Sequence, residues 1–226
     1  MRKVIGIIFL GVIIWGLVLS LSQVPFGKDK MEVGRRYLKR GTEETGAANI
    51  VTSVVVTYRG FDTLGEVTVL FIAALGLGAV LYTRRRSSER IEPSSLVLRT
   101  GCRFLFPLIL LFGTYIFVHG HLTPGGGFQG GAIIASGFLL IYLGCPERRT
   151  QELRLGATES LGGLAFVVFG LLGLAVGGYF LTNFLPKGTF NSLISAGVIP
   201  LIYVAIGFKV GSELAGIMGN LMERTK

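Results

Sequence analysis

Two charged constellations and one histidine-glycine run are the parts of this 226-residue sequence with residue types and spacing suited to chemistry. Lys209 and Glu213 lie four apart, so on a helix they share a face. They fall in the last three turns of an apolar stretch at about 193–218. Charge there is costly, and it either pairs or lines a hydrated path. The bland alternative is a lysine that snorkels to the interface while pairing with Glu213. Arg59, Asp62 and Glu66 open another apolar stretch, on successive helical turns. A carboxylate there can bind Na⁺ transiently through its oxygens or pass a proton. The alternative is stabilisation of the helix N-terminus, which suits Asp62 better than Glu66, since Glu66 lies further in.

The third element is residues 119–131, which hold both histidines and the densest glycine run. Gly125, Gly127 and Gly130 match the GxGxxG pattern. A membrane span precedes them in place of a strand, so this is not a dinucleotide site. Gly125, Gly126, Gly127, Gly130 and Gly131 shape either a tight turn with positive φ or exposed backbone at the edge of an ion path, which is tolerated where it lines a cavity. His119 and His121 are interfacial hydrogen-bonding residues or members of a proton relay. Two histidines without nearby acids or thiols make a poor metal site. Cys102 and Cys145 have no CxxC spacing, and neither a disulfide framework nor a metal centre is expected. Nucleophilic triads, nucleotide motifs, haem-attachment and iron–sulfur patterns are missing, so no cofactor is expected in this chain, nor enzymatic activity by the chain alone.

The elements that must position these residues follow from hydropathy. Half the residues are hydrophobic and the mean hydropathy is +0.64, with apolar runs near the ~20 residues that cross a bilayer. The expectation is an all-α integral membrane protein with about six transmembrane helices, near 4–21, 63–82, 104–118, 132–145, 160–182 and 193–218. The first is read as a retained anchor in preference to a cleaved signal, because its apolar run is long for a signal core. Pro107 then lies in the first turn of the third span, where a missing N–H does little harm. Between the first two spans, 22–62 is a long polar connection, and 47–58 within it is an interfacial or re-entrant segment or a strand. Gly173 and Gly177, and Gly207, Gly211, Ala215 and Gly219, form small-residue stripes that imply close helix neighbours. The net charge of +9 sits between apolar runs. It therefore speaks for topology and lipid headgroups and not for nucleic acid. The basic segments 83–103 and 146–158 place both termini in the cytoplasm, leaving 119–131 and 183–192 outside. Pro93 and the serines after it mark a linker.

Two stretches resemble known families. Gly46-Ala-Ala-Asn-Ile-Val with Tyr58-Arg-Gly-Phe-Asp-Thr-Leu-Gly-Glu66 resembles the C-terminal part of the A subunit of Mrp-type cation/proton antiporters. It is similar also to the small E subunit of archaeal membrane-bound hydrogenases. Leu98-Arg-Thr-Gly, Phe104, Pro107 and the run 119–131 resemble the Mrp B subunit, of MnhB type. The resemblance implies a fusion: a two-span E-like domain at 1–92 and a four-span MrpB-like domain at 93–226. It implies a non-catalytic, multi-pass subunit of the cell membrane on the sodium/proton path of an Mrp-type module, with Na⁺ and H⁺ as transported ions. Glu66 becomes an ion-transfer candidate, and Pro124 and Phe128 join the residues that shape the glycine run. The large proton-pumping domain of the antiporter A subunit does not precede the E-like part. This favours a ferredoxin-driven archaeal respiratory complex, of hydrogenase or sulfur-reducing type. The expected partners are other Mrp-type subunits, hydrogenase-like redox subunits and lipid. A stand-alone Mrp antiporter and a purely structural scaffold subunit are the alternatives.

Overall fold

The computed structural model describes residues 2–23, 31–82, 94–145 and 152–222, and among them every regular element is helical. Helix α1, Arg2–Ser22, is apolar on all sides after Arg2 and Lys3, as suits a segment in lipid. It belongs to a separate unit, residues 1–35, and is described only by itself. The remaining unit, 36–226, contains the end of α2 (Glu32–Thr45), α3 (Ile50–Thr52), α4 (Gly60–Tyr82), α5 (Leu96–Val118), α6 (Gly127–Gly144), α7 (Glu152–Gly177) and α8 (Ile199–Met222). Helices α4 to α8 are long and apolar enough to cross a membrane, and α1 adds a shorter apolar stretch at Gly6–Ser22. The basic residues at 84–86 and 148–149, on which the cytoplasmic placement of the termini rests, lie outside the described residues, as does Pro93.

Helix α8 is the hub. It packs on α4, α5, α6 and α7, and 61% of its apolar window is buried against 11% for α4. That contrast leaves most of α4 for lipid or neighbouring subunits. The small-residue stripe of α8 explains the packing. A Cβ at Gly207 would lie 2.6 Å from the Phe117 ring of α5, and one at Gly211 would meet Gly131 and Ile134 of α6. The stripe of α7 works differently. Gly173 and Gly177 admit Thr182, and Gly170 the Phe180 ring, so they seat the chain's own return after α7 in place of another helix.

Several boundaries differ from those read from hydropathy. Ser95 caps α5, accepting from Leu98 N at 3.2 Å. The third span thus starts at Leu96, not 104, and carries Arg99 and Arg103 within it. Pro107 is accordingly in the helix interior. The glycines at 127–131 are helical, forming the first turns of α6, so only 119–126 is loop. Of residues 47–58, 50–58 are helical and none is strand. Asn49 caps α3, which continues into a π-helical turn, Ser53–Tyr58. Single π turns inside helices are uncommon and mark places where regular register is given up for a local contact.

That contact ties the N-terminal part of the chain to the later helices. Asn49 Nδ2 donates to Gly120 O at 2.9 Å and Thr123 O at 3.0 Å, and Asn49 N donates to His121 O at 3.0 Å. Thr52 Oγ1 donates to Gly120 O at 2.6 Å and accepts from Tyr203 OH at 2.9 Å. From the other long loop, Asn183 Nδ2 donates to Thr45 O at 3.4 Å and Lys187 Nζ to Glu43 O at 3.0 Å. Burial together with the Glu44 carboxylate pushes Tyr58 up to about 12, so it stays a donor to Glu44. Asn49→Ala removes the cap on α3 and two side-chain hydrogen bonds, while Gly120 O keeps Thr52 Oγ1 and Thr123 O faces solvent, so the loss is about 1 kcal/mol, the size of a helix cap. A lower Tm of the purified complex with unchanged subunit content is the expected result.

Candidate functional site

Lys209 and Glu213 meet as their spacing requires. Lys209 Nζ donates to Glu213 Oε2 at 2.6 Å, and the two side chains are 7% and 0% exposed. Their depth differs from the expectation. Because α8 runs from Ile199 to Met222 and not 193–218, Lys209 falls near its middle, too far in to snorkel to an interface. Lys209 is held along α7 by two glycines. A Cβ at Gly162 would lie 2.9 Å from Lys209 N, and one at Gly163 would lie 3.6 Å from Lys209 Cε. On the other side, the Phe71 ring of α4 has its centroid 5.4 Å from Nζ, within the range of a cation–π contact.

A cavity of about 440 Å³ adjoins the pair, between α4, α7 and α8. Glu213 lines it, as do Glu159, Ser212 and Asn220, with Phe71, Leu75, Leu155 and Ile217 among the apolar walls. Glu213 Oε1 is buried and without a hydrogen-bond partner among the described residues. Glu159 is within electrostatic reach of both Lys209 and Glu213. It was not among the residues singled out from sequence, because it follows the polar run 146–158 and reads there as part of a connection. Its place four residues before Gly163, in a helix already apolar by Leu161, is the signal that could have found it.

The other sequence candidates lie elsewhere. Asp62 pairs with exposed Arg59, through Nε at 2.5 Å, on the first turn of α4. Glu66 is exposed. It is five residues before Phe71, roughly 7.5 Å along the axis and about 140° around it, so α4 turns it away from α8 while Phe71 meets Lys209. The two charge sets were expected at opposite membrane faces. Glu66 and Lys209 are instead about one and a half helical turns apart in depth, measured through Phe71, while Asp62 and Glu213 lie further apart.

The glycine run is close-packed and bounds no part of the cavity. Gly126 has φ +150, and a Cβ there would clash with Gln129. A Cβ at Gly125 would lie 2.7 Å from Ile116 O. Gly127, Gly130 and Gly131 wedge the start of α6 between α5 and α8, and Phe128 packs half-buried on the main core. Pro124 is at the exposed tip. His119 stacks on Tyr115 at 4.2 Å. His121 is fully buried, with Nε2 3.4 Å from Ser192 O and Nδ1 without a hydrogen-bond partner among the described residues. Burial holds its pKa below the ordinary histidine value, so it is neutral near pH 7 and Nε2 carries the proton toward the carbonyl. Cys102 and Cys145 are free thiols with their sulfurs 3.2 Å apart, a proximity that their sequence separation hid. Groups of three or more metal-binding side chains do not occur among the described residues.

Together these features define a polytopic helical membrane protein with one face left for neighbours and an ion pair at the centre of its hub helix. The profile of the domain related to the MnhB subunit of Na⁺/H⁺ antiporters matches residues 97–216, and that of MbhE, the E component of MBH, matches residues 4–96. The chain belongs to the MnhB-related family and carries an MbhE domain ahead of it. An uncharacterised protein of Methanocaldococcus jannaschii is 34% identical over 75% of this chain and 74% of its own length. A chain of the membrane-bound sulfane sulfur reductase, an archaeal respiratory membrane complex, superimposes with a TM-score of 0.79 at 51% identity, covering 98% of both. A chain of the Mrp complex from Dietzia sp. DQ12-45-1b superimposes with a TM-score of 0.69 at 28% identity, over 97% of this chain but 26% of that one. The protein is thus a multi-pass membrane subunit of an Mrp-type module, working among other Mrp-type subunits rather than as a catalytic enzyme.

Proposed function

We propose that this subunit lies on the sodium/proton translocation path of a redox-driven archaeal respiratory complex of sulfur-reducing type. Residues 1–92 serve as the E-like half and 93–226 as the MrpB-like half, with both termini cytoplasmic and lipid and redox subunits around them. The observation that carries the reading is the buried Lys209–Glu213 pair in the middle of α8. A scaffold helix gains nothing from two charges there, since a buried ion pair is often no better for stability than apolar residues of similar volume, whereas intramembrane ion pairs mark ion paths. The 51% identity to a chain of the sulfane sulfur reductase supports the type of complex. Glu66, exposed on α4, and Asp62 beside it extend the path toward a neighbouring subunit, and His119 and His121 stand at its outer end.

Sodium-coupled transport by the intact complex in vesicles tests this with Glu213→Gln, alongside Glu66→Gln. Each substitution keeps size and removes charge. Transport in Glu213→Gln is expected to fall by about a hundredfold or more, the scale on which a positioned proton-transfer group acts, with subunit content unchanged. Full transport in an assembled Glu213→Gln complex would move the chain to the scaffold role.

A further inference from the structure

We propose that the cavity between α4, α7 and α8 is a binding site for one monovalent cation, held between the Glu159 carboxylate and the free oxygen of Glu213. The proposal rests on the reading that Lys209 and Glu213 belong to the ion path, and it adds the occupant and a second carboxylate.

Charge balance is the first argument. Ionised, Glu159 and Glu213 carry two negative charges, and Lys209 carries one positive charge. One negative charge is left over beside a cavity whose walls include Phe71, Leu75, Leu155 and Ile217. Charges in such surroundings are paired or coordinated. One monovalent cation brings the cluster to neutrality, and a divalent ion would overshoot it.

The oxygen atoms available make the second argument. Lys209 occupies Oε2 of Glu213, while Oε1 is buried and unpartnered although its residue forms part of the cavity wall. A carboxylate oxygen in that state is an acceptor in want of a proton or a metal ion. Ser212 lines the same cavity and donates its hydroxyl proton to Phe208 O at 2.6 Å, so its lone pairs remain free to coordinate. Asn220, two turns and roughly 10.5 Å beyond Glu213 on the same side of α8, lines the cavity further along and would reach the ion only through water. All of these are hard oxygen donors, the kind suited to an alkali cation.

Size is the third. A volume of about 440 Å³ holds an ion together with several waters, each needing about 30 Å³. The cavity lies between the later half of α4, the first turns of α7 and the last turns of α8, at the end of the bundle away from the 119–126 loop. A hydrated ion arriving from that end reaches Glu159 and then Glu213, where Lys209 competes with it for the carboxylate.

A sodium ion and a proton share this chemistry, and the experiment separates them. Equilibrium binding of ²²Na⁺ to the purified intact complex is measured for wild type, Glu159→Gln and Glu159→Asp, and proton uptake is titrated on the same samples. Glu159→Gln is expected to lose one sodium per complex, or to weaken that site by at least about tenfold, given the size of a lost charge–charge contact at an effective dielectric near 20. Glu159→Asp retains the charge and is expected to retain the site. If sodium binding is unchanged in an assembled Glu159→Gln complex, the site does not exist, whatever the proton count, since that substitution removes a titrating carboxyl by itself. Should Glu159→Gln fail to assemble, Ser212→Ala keeps all three charges and removes one oxygen beside Glu213; it is expected to weaken sodium binding, and no change overturns the site. A loss of transport in Glu213→Gln with sodium stoichiometry intact in Glu159→Gln would sink this cation site and leave the ion-path reading in place.

Discussion

Lys209→Met is expected to cost the complex both transport and the stability of this subunit. The side chain is 7% exposed and its partner 0%, so the substitution strands a carboxylate inside the bundle. Removing one member of a buried pair is destabilising by about 3–5 kcal/mol, because the charge that remains has no partner. Methionine matches the length of the lysine stem, so the groove against Gly162 and Gly163 stays filled and the loss is electrostatic. The double substitution Lys209→Met with Glu213→Leu separates the two effects. It removes both charges, and the protein is expected to return to wild-type content and near wild-type Tm. Transport is expected to stay lost. Subunit content by mass spectrometry and ion flux in vesicles decide the matter. A double variant that transports normally would take the pair off the ion path altogether.

The second large effect is at the start of α6. Gly130→Val and Gly131→Val are each expected to abolish assembly. A Cβ at Gly130 would lie 2.6 Å from Gly113 O and 3.0 Å from the Phe117 side chain. At Gly131 it would meet Gly207 O at 2.9 Å and Gly211 N at 3.0 Å. Half of these neighbours are backbone of α5 and α8, and the Cβ atoms of Phe117 and Val210 are fixed to that backbone, so rotating a side chain gives little relief and the helices themselves must part. Overpacking costs about 1–3 kcal/mol where a core can adjust, and this seam is expected to exceed that range. Gly101→Ala is the control, since nothing lies within 4 Å of a Cβ there. Equal assembly of Gly101→Ala and Gly131→Val would show that the packing of α6 is not what the glycines are for.

Much of the fold was legible because membrane spans announce themselves by length and apolarity. The cores of α4, α7 and α8 and the Lys209–Glu213 pairing followed from run length and four-residue spacing. Helix ends were harder. Arg99 and Arg103 read as linker because charge interrupts an apolar run, yet both fit within the first turns of α5 after the Ser95 cap. The glycine run read wholly as a loop because glycine is a poor helix former. Its second half is helical because contact with α5 and α8 outweighs that preference. Glu159 escaped notice because it follows a polar run and reads as part of a connection, although its spacing from Gly163 places it on the face of α7 that packs against Lys209. The neighbouring thiols of Cys102 and Cys145 were hidden by their separation of forty-three positions.

The seam between the segment around Asn49 and the later helices is made mainly from main-chain carbonyls, those of Gly120, His121 and Thr123 on one side and of Glu43 and Thr45 on the other. Such a contact is indifferent to most side-chain drift on the carbonyl side, so it suits two parts that need not have begun as one polypeptide. Joining them holds each at an effective concentration on the order of millimolar with respect to the other. It also fixes their ratio at one to one during synthesis. Expressed as two separate chains, the parts would have to win that encounter from a dilute membrane pool. The seam is therefore where the economy of a single reading frame over two subunits would be felt.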